Sequence, residues 1–154
     1  MRFSLIDADL FDYAADLKCS HIDHKHRIPV HCISADFAMA GGIAVPMATK
    51  YSLRSALSGY LVKSPTCLFV NNVMNLITKN KVWDLPTYSS LKESLEECKR
   101  LCENYNIRWL VMPKIGCGID GLDWSTVKMI IKQVFNDTDI DILVCIPGMS
   151  KETK

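Results

Sequence analysis

Two short glycine-rich stretches are the first features of this 154-residue sequence whose residue types and spacing indicate chemistry. One, "AGGIAVP", contains Gly41 and Gly42, and the other, "IGCGIDG", contains Gly116, Gly118 and Gly121. Each follows an apolar run and precedes a segment with helical periodicity. Free N–H groups and the dipole at a helix start attract an anion, and glycine lets that anion approach the backbone. Turn glycines would explain either stretch alone, but the two together favour a diphosphate held from both sides.

Two charged residues near these loops have the chemistry of a nucleophile and its acid or base. Lys79 ends the apolar run "VMNLIT", and Asp120 lies inside the second glycine stretch. An amine held among apolar residues such as Leu76 and Ile77 is favoured in its neutral form, which attacks electrophilic carbon. A carboxylate beside it can take up and return the proton. A solvated lysine at a strand end and an aspartate in a turn are the structural alternatives, so the two residues carry a function only together.

The elements that must position these residues alternate between short apolar runs and amphipathic segments. Most of the apolar runs lack polar alternation, which is typical of strands in a sheet that is covered on both faces. The periodic segments predict helices at about 43–56, 88–104 and 124–135, with Pro46 in a first turn and Asp123 as an N-cap. Strands are predicted at 2–6, 27–33, 66–70, 73–78, 107–112 and 140–146.

This alternation of strands and helices predicts the fold class and the place of the ligand. We expect one α/β domain over residues 1–154, built on a partly parallel sheet. In such sheets ligands bind beyond the carboxyl ends of the strands, which is where both glycine stretches fall.

The charge balance and the absence of long apolar runs narrow the classes of partner. The chain has 18 Lys and Arg against 17 Asp and Glu, a formal net charge of +1, so no global field attracts nucleic acid. No apolar run approaches the ~20 residues that span a bilayer, and the N-terminus carries charges where a signal peptide would be apolar. Seven cysteines without a C-x-x-C pair indicate reduced thiols. We therefore expect a soluble, cytoplasmic monomer that does not bind membranes, with the nucleus as a second location in a eukaryote.

Six short motifs, taken in order, resemble those of a known family. They are "ADLF", "HCIS", "AGGIAV", "LITK", "PTY" and "MPKIGCGIDGL". In this order and at these separations the sequence resembles the macrodomain family, and most of all its terminal ADP-ribose glycohydrolase branch, whose members remove single ADP-ribose units. The resemblance extends from about residue 2 to about residue 146. It implies a three-layer α/β/α sandwich on a mixed, mostly parallel sheet of about six strands. It also implies an ADP-ribose cleft across the strand ends, and neither a metal nor an organic cofactor.

The resemblance also implies roles for individual residues. Lys79 matches the lysine that attacks the anomeric carbon of the distal ribose, and Asp120 matches the catalytic carboxylate. Ser34 stands where many other macrodomains have an asparagine that orients this ribose, a departure that the glycohydrolase branch shares. The remaining matches are binding residues: Asp9 and the Leu10 backbone at the adenine, Gly41, Gly42 and Ile43 around the diphosphate and distal ribose, and Ile115, Gly116, Cys117, Gly118 and Ile119 in the facing phosphate loop.

Three functions are compatible with these residues. The leading one is hydrolysis of ADP-ribose from modified acidic protein side chains, with nucleic-acid bases and O-acyl-ADP-ribose as further substrates. A reader module that binds ADP-ribose without cleaving it would need only the phosphate and adenine contacts. Phosphatase activity on ADP-ribose 1″-phosphate is the third, and it would not require Lys79.

Two segments fit the family pattern poorly. The stretch between "ADLF" and "HCIS" contains Cys19, His21, His24 and His26, with His31 and Cys32 shortly after. Imidazoles and thiolates at such spacing can hold zinc, although no standard structural zinc pattern matches and a polar surface loop explains them equally. At the other end of the chain, Cys145 and Pro147 stand where the branch can place an aromatic residue or a chain end near the adenine.

Overall fold

A six-stranded mixed sheet organises the fold, and apolar residues on both faces of its strands explain why helices cover it on both sides. The computed structural model describes residues 1–15 and 27–149. The strands are β1 (Arg2–Ile6), β2 (Arg27–Ser34), β3 (Thr66–Val70), β4 (Val73–Lys79), β5 (Trp109–Met112) and β6 (Asp141–Cys145). They lie in the order β1-β6-β5-β2-β4-β3.

Neighbouring strands are parallel except for the β3–β4 hairpin. Its two turn residues, Asn71 and Asn72, both have positive φ, the conformation that matches a two-residue turn to the twist of the strands. Asparagine tolerates this conformation better than other residues with a side chain. The mixed, mostly parallel sheet of about six strands is therefore confirmed.

The helices form a layer on each face of the sheet. They are α1 (Leu10–Ala15), α2 (Ala44–Lys50), α3 (Leu53–Leu57), α4 (Tyr88–Tyr105) and α5 (Trp124–Phe135). One core contains the apolar stripes of α4 and α5, and the other contains buried residues of α1, α2 and α3. This arrangement is the expected three-layer α/β/α sandwich. None of the helices in the described part of the chain is long and apolar enough to cross a bilayer.

Two predicted boundaries need correction, and one helix was not predicted. The helix expected at 43–56 is two helices, because Ser52 adopts a left-handed conformation that ends one run and starts another. The strand expected from residue 107 begins at Trp109, after the left-handed Asn106 that ends α4. Helix α1 carried no prediction, because its six residues are too short to show a periodic pattern.

A buried polar pair links β2 and β4 in the middle of the sheet. His31 and Asn75 are register partners, and the His31 Nε2 lies 2.6 Å from the Asn75 Oδ1. The Asn75 amide nitrogen donates to the Leu68 and Val73 carbonyls, so its oxygen faces the histidine and Nε2 must carry the proton. Nδ1 of His31 has no hydrogen-bond partner among the described residues. Burial lowers the pKa of His31 to about 4, against the opposing effect of the Asn75 hydrogen bond.

Candidate active site

The parallel strands bring the predicted site residues to one edge of the sheet. β5, β2 and β4 are consecutive neighbours, so their carboxyl ends open at the same edge. Lys79 is the last residue of β4 and Ser34 the last of β2. The Gly41–Gly42 stretch follows β2, and the Gly116–Gly121 stretch follows β5.

Lys79 and Asp120 form an ion pair at this edge. The Lys79 Nζ donates to the Asp120 Oδ1 at 2.8 Å, although the residues are 41 positions apart in the chain. Their side chains are 11% and 14% exposed, so the pair is largely withdrawn from water while still reachable from the cleft. An amine and a carboxylate at this distance can exchange a proton directly.

The two glycine loops face each other across this pair. A cavity of about 280 Å³ is bordered by Ser34, Gly41, Lys79 and Asp120, and an adjacent one of about 200 Å³ by Gly41, Gly42, Gly116 and Gly118. Ile119 borders both cavities, and its Cδ1 lies 2.8 Å from the position that a Cβ on Gly41 would occupy. A side chain at position 41 would therefore meet Ile119, so glycine lets the two loops approach each other.

The remaining residues of the predicted phosphate loop occupy distinct positions. Ile115 is buried in the core, and Cys117 uses its N–H in a turn with the Lys114 carbonyl. Lys114, for which no role was predicted, borders the smaller cavity. Ile43 is the N-cap residue of α2, makes no side-chain cap and borders the same cavity. Of the N–H groups that follow, that of Val45 donates to the Gly42 carbonyl, and Pro46 has none. Pro46 lies in the first turn of α2, as predicted.

Asp36 is a residue that the sequence analysis missed. Its Oδ1 accepts from the Ser34 hydroxyl at 2.5 Å and its Oδ2 from the Val82 N–H at 3.0 Å, joining the loop after β2 to the loop after β4. Partial burial opposes ionisation of Asp36. The two hydrogen bonds, a third from the Ala38 N–H and the charge of Lys81 outweigh burial, and they hold the pKa of Asp36 below its ordinary value. The only sequence signal was an aspartate two residues after a strand end, which usually indicates a turn.

Cys32 lies at the floor of the cleft, where it borders both cavities. Burial, reinforced by the negative charge of Asp120, raises the pKa of the Cys32 thiol well above its ordinary value. The thiol is therefore held in its neutral form and forms part of the cleft wall rather than an anionic nucleophile.

Asp9 and Leu10 lie at the other end of the strand edge, after β1. The Asp9 Oδ1 accepts from the N–H groups of Phe11 and Asp12 at 2.9 and 3.2 Å, so it caps α1. Leu10 is buried, 4% exposed. Cys145 ends the adjacent β6, and burial together with the charge of Asp9 raises its pKa to about 11. Asp9 and the end of β6 therefore lie side by side, on the side of β5 away from Lys79.

The structure describes only some of the residues proposed to hold zinc. Cys19, His21, His24 and His26 lie outside the described residues. His31 is committed to Asn75 within the core. Within residues 1–15 and 27–149, no group of three or more His, Cys, Asp or Glu residues is arranged to hold a metal ion.

The fold is a three-layer sandwich with a mixed sheet, and its site has two glycine loops at parallel strand ends with a lysine–aspartate pair. Together the fold and the site define a class of nucleotide-binding domain. The family profile described as "Macro domain" matches residues 32–131. The chain therefore belongs to the macrodomain family.

The relatives within this family are more specific. The chain is 40% identical to an ADP-ribose glycohydrolase, OARD1, from Bos taurus over 147 residues, which cover 93% of this chain and 90% of the relative. The resemblance to the glycohydrolase branch is thereby confirmed.

Solved structures agree on the fold. The macrodomain of Mycobacterium tuberculosis DarG aligns with a TM-score of 0.73 at 19% identity, over 94% of this chain and 97% of that one. Thermosipho africanus DarTG in complex with ADP-ribose aligns with a TM-score of 0.69 at 15% identity, over 95% of this chain and 42% of that one.

Proposed function

We propose that this chain is an ADP-ribose glycohydrolase that releases single ADP-ribose units from modified acidic side chains of proteins, residues 1–154 acting as one domain. The observation that carries the proposal is the Lys79–Asp120 ion pair, held at 2.8 Å at the floor of a cleft between two glycine loops. The name of the bovine relative, which the chain matches over nearly its whole length, supports the same activity.

The proposed binding mode follows the strand edge. The adenine lies at the β1 end, near Asp9 and Leu10, and the diphosphate lies between the two glycine loops. The distal ribose then reaches the larger cavity, which Ser34, Lys79 and Asp120 border. In this mode backbone N–H groups of the two glycine loops donate to the phosphates.

The proposed reaction begins with proton transfer from the Lys79 ammonium to Asp120, which frees the amine lone pair. The amine attacks C1″ of the distal ribose, a C1″–N bond forms, and the C1″–O bond of the ester breaks. The carboxylate of the modified side chain leaves with the bonding electron pair. No redox cofactor is required, because neither carbon nor nitrogen changes its total oxidation level.

The second half of the reaction returns the lysine. After the attack the Lys79 nitrogen is a cationic secondary amine, and it loses one proton to solvent. Its lone pair then expels O4″ of the ribose, which takes the proton held by Asp120, and a protonated Schiff base forms between Lys79 and the opened sugar. Water adds to C1″, the C1″–N bond breaks, and ADP-ribose leaves. Asp120, again a carboxylate after it has protonated O4″, takes a proton from the added water and returns it to the departing Lys79 nitrogen, which lies within hydrogen-bond distance in the pair.

Reductive trapping tests the proposal. The wild-type protein is incubated with ADP-ribose and cyanoborohydride, and the adduct is mapped by peptide mass spectrometry. We expect the adduct on Lys79. Lys79→Ala and Asp120→Ala should each lower turnover of a glutamate-modified protein by ~100-fold or more, whereas Lys92→Ala, which removes an exposed lysine from α4, should not.

Three outcomes would contradict this mechanism. Adducts spread over surface lysines would indicate simple glycation. Wild-type turnover in both Lys79→Ala and Asp120→Ala would remove the pair from the reaction. ADP-ribose binding without turnover of any linkage would identify a reader module instead.

A further inference from the structure

The segment that follows Lys79 exposes large apolar side chains beside the cleft. Trp83 is 76% exposed and Leu85 72%, while Val82 is 36% exposed and borders the larger cavity together with Lys79. We call residues 81–85 the rim segment. Neither the ion pair nor the proposed ADP-ribose contacts use Trp83 or Leu85, and exposed apolar groups at the edge of a cleft often mark a binding surface.

The rim segment is fixed in place by polar contacts. The Asp84 N–H donates to the Lys81 carbonyl at 2.9 Å, and the Lys81 N–H donates to the Asp84 Oδ2 at 2.9 Å. The Val82 N–H donates to Asp36. Trp83 therefore stands on a closed turn with little backbone freedom, and binding through it loses little conformational entropy.

The far end of the segment is anchored to the phosphate loop. The Asp123 N–H donates to the Tyr88 hydroxyl at 3.0 Å, so the start of α4 is fastened to the loop that carries Asp120. The chain is thus held before Trp83 by the Val82–Asp36 contact and after it by the Tyr88–Asp123 contact. It lies at the end of the cleft that holds the distal ribose in the proposed binding mode.

The group esterified to the anomeric carbon must leave the cleft near this segment. Lys79 attacks that carbon from the cavity floor, and the leaving group departs from the opposite side of the carbon. Because Val82 borders the same cavity, the adjoining Trp83 stands where the macromolecule that carries ADP-ribose approaches.

The charges of the rim favour a polypeptide over a nucleic acid. A phosphate backbone is bound through clustered Lys and Arg, whereas residues 81–85 contain one cation, Lys81, whose charge acts on the Asp36 carboxylate, and one carboxylate, Asp84. Asp36 is held ionised at ordinary pH and would repel a phosphate. The exposed indole and Leu85 instead offer apolar surface to the polypeptide around a modified residue.

We propose that Trp83, supported by Leu85, is a specificity-determining contact for the polypeptide that carries the ADP-ribosylated acidic residue. The proposal rests on the proposed function, since it assigns the leaving-group side of the same reaction. It requires that Trp83 contribute to the cleavage of substrates with residues flanking the modified one, and that it leave the reaction at the ribose unchanged.

The test compares three substrates that share the same ADP-ribose. They are a 15-residue peptide with one ADP-ribosylated glutamate, a single capped glutamate with the same ester, and an ADP-ribosylated oligonucleotide. We expect Trp83→Ala to lower kcat/KM for the peptide by about five- to tenfold, mainly through KM, with the capped glutamate unaffected. Trp83→Phe should recover most of the loss, and Leu85→Ala should show a smaller loss on the peptide alone. Met129→Ala, which removes an exposed apolar side chain from α5, should change none of the three rates.

The outcomes separate this inference from the proposed function. If the wild-type protein cleaves none of the substrates, the proposed function fails. If it cleaves them and Trp83→Ala matches it on the peptide, the inference alone fails. Equal losses on the peptide and the capped glutamate would show that Trp83 supports the active site instead, and a loss confined to the oligonucleotide would assign the rim to nucleic acid. The calorimetric affinity for free ADP-ribose, expected to be unchanged, reports whether each variant is folded.

Discussion

Gly116 and Gly118 belong to one loop but meet different demands. Gly116 has a φ of +71°, and a Cβ there would lie 3.0 Å from the Leu122 Cδ1. Gly118 has no such conformation, and a Cβ there would have no neighbour within 4 Å in the described residues. Gly116 is therefore needed to form the loop, whereas at Gly118 nothing in the fold itself excludes a side chain. Because Gly118 borders the cleft, we infer that its lack of a side chain lets a phosphate come close to the backbone.

This difference predicts that alanine at position 116 lowers stability, whereas alanine at position 118 weakens ligand binding. Gly116→Ala should lower the free energy of unfolding by about 1–2 kcal/mol, because alanine is strained in the left-handed region and crowds Leu122. Gly118→Ala should leave the unfolding free energy within about 0.5 kcal/mol of wild type but weaken ADP-ribose binding. Urea unfolding and titration calorimetry measure the two quantities. Undiminished ADP-ribose affinity in Gly118→Ala would show that no phosphate comes close to this residue.

At the scale of elements, α4 connects the site to the core. Its apolar stripe, including Leu91, Leu95 and Cys98, is fully buried against the sheet. Its first turn carries Tyr88, which receives the Asp123 N–H. The N-terminus of α4 is closed by a capping box in which the Thr87 side chain accepts from Ser90 N and the Ser90 side chain accepts from Thr87 N. The helix start is therefore fixed by local chemistry, and with it the edge of the phosphate loop.

Removing this cap should weaken the helix without touching the cleft residues. Thr87→Ala should lower the free energy of unfolding by about 1 kcal/mol, because Ser90 N loses its acceptor. The double variant Thr87→Ala with Ser90→Ala should lose less unfolding free energy than the sum of the two single losses, since both hydrogen bonds belong to one capping box. Ser89→Ala, an exposed serine with no part in the cap, serves as the control in the same denaturation series. Strict additivity of the two cap variants would argue that the two hydrogen bonds are independent.

At the scale of the whole molecule, the buried His31–Asn75 pair couples stability to pH. The pKa of His31 is lowered from 6.5 to about 4 in the folded protein, chiefly by burial. The unfolded chain therefore binds a proton at this residue before the folded protein does. Stability from this group is complete above pH 6.5, falls as the pH is lowered through that value, and stops falling below about pH 4.

Acid should therefore destabilise the protein before most carboxylates titrate. Between pH 7.5 and pH 5, His31 should account for a loss of about 2 kcal/mol in the free energy of unfolding. The double variant His31→Leu with Asn75→Leu removes both members of the pair, so neither side chain is left without the other. It also removes the amide donor of the Leu68 and Val73 carbonyls, a loss that does not depend on pH, so its stability should vary much less over this interval. Urea unfolding at a series of pH values measures the difference. An equally steep dependence in the double variant would assign the effect to other groups.

How much could be predicted from the sequence differs between the fold and the site. Element types were predictable where one face of a helix or both faces of a strand are buried, as in α4, α5 and β4, because burial imposes the apolar pattern directly. The cap at Asp123, which accepts from Thr126 N, was likewise readable from local chemistry. The break at Ser52 and the start of β5 were not, since backbone conformation at a boundary depends on tertiary packing.

By itself, the sequence determined the order of the six strands and of helices α4 and α5, the two glycine loops and, through family resemblance, the residues to examine for chemistry. These features are local in the chain, so residue type and spacing are enough to indicate them. Only the tertiary structure decided that Lys79 and Asp120 meet at 2.8 Å, that Asp36 joins two loops, and that the exposed Trp83 adjoins Val82, which borders the cavity of the ion pair. Each of these depends on which strands become neighbours in the sheet. That choice is made by burial of the whole core and leaves no pattern in any one segment.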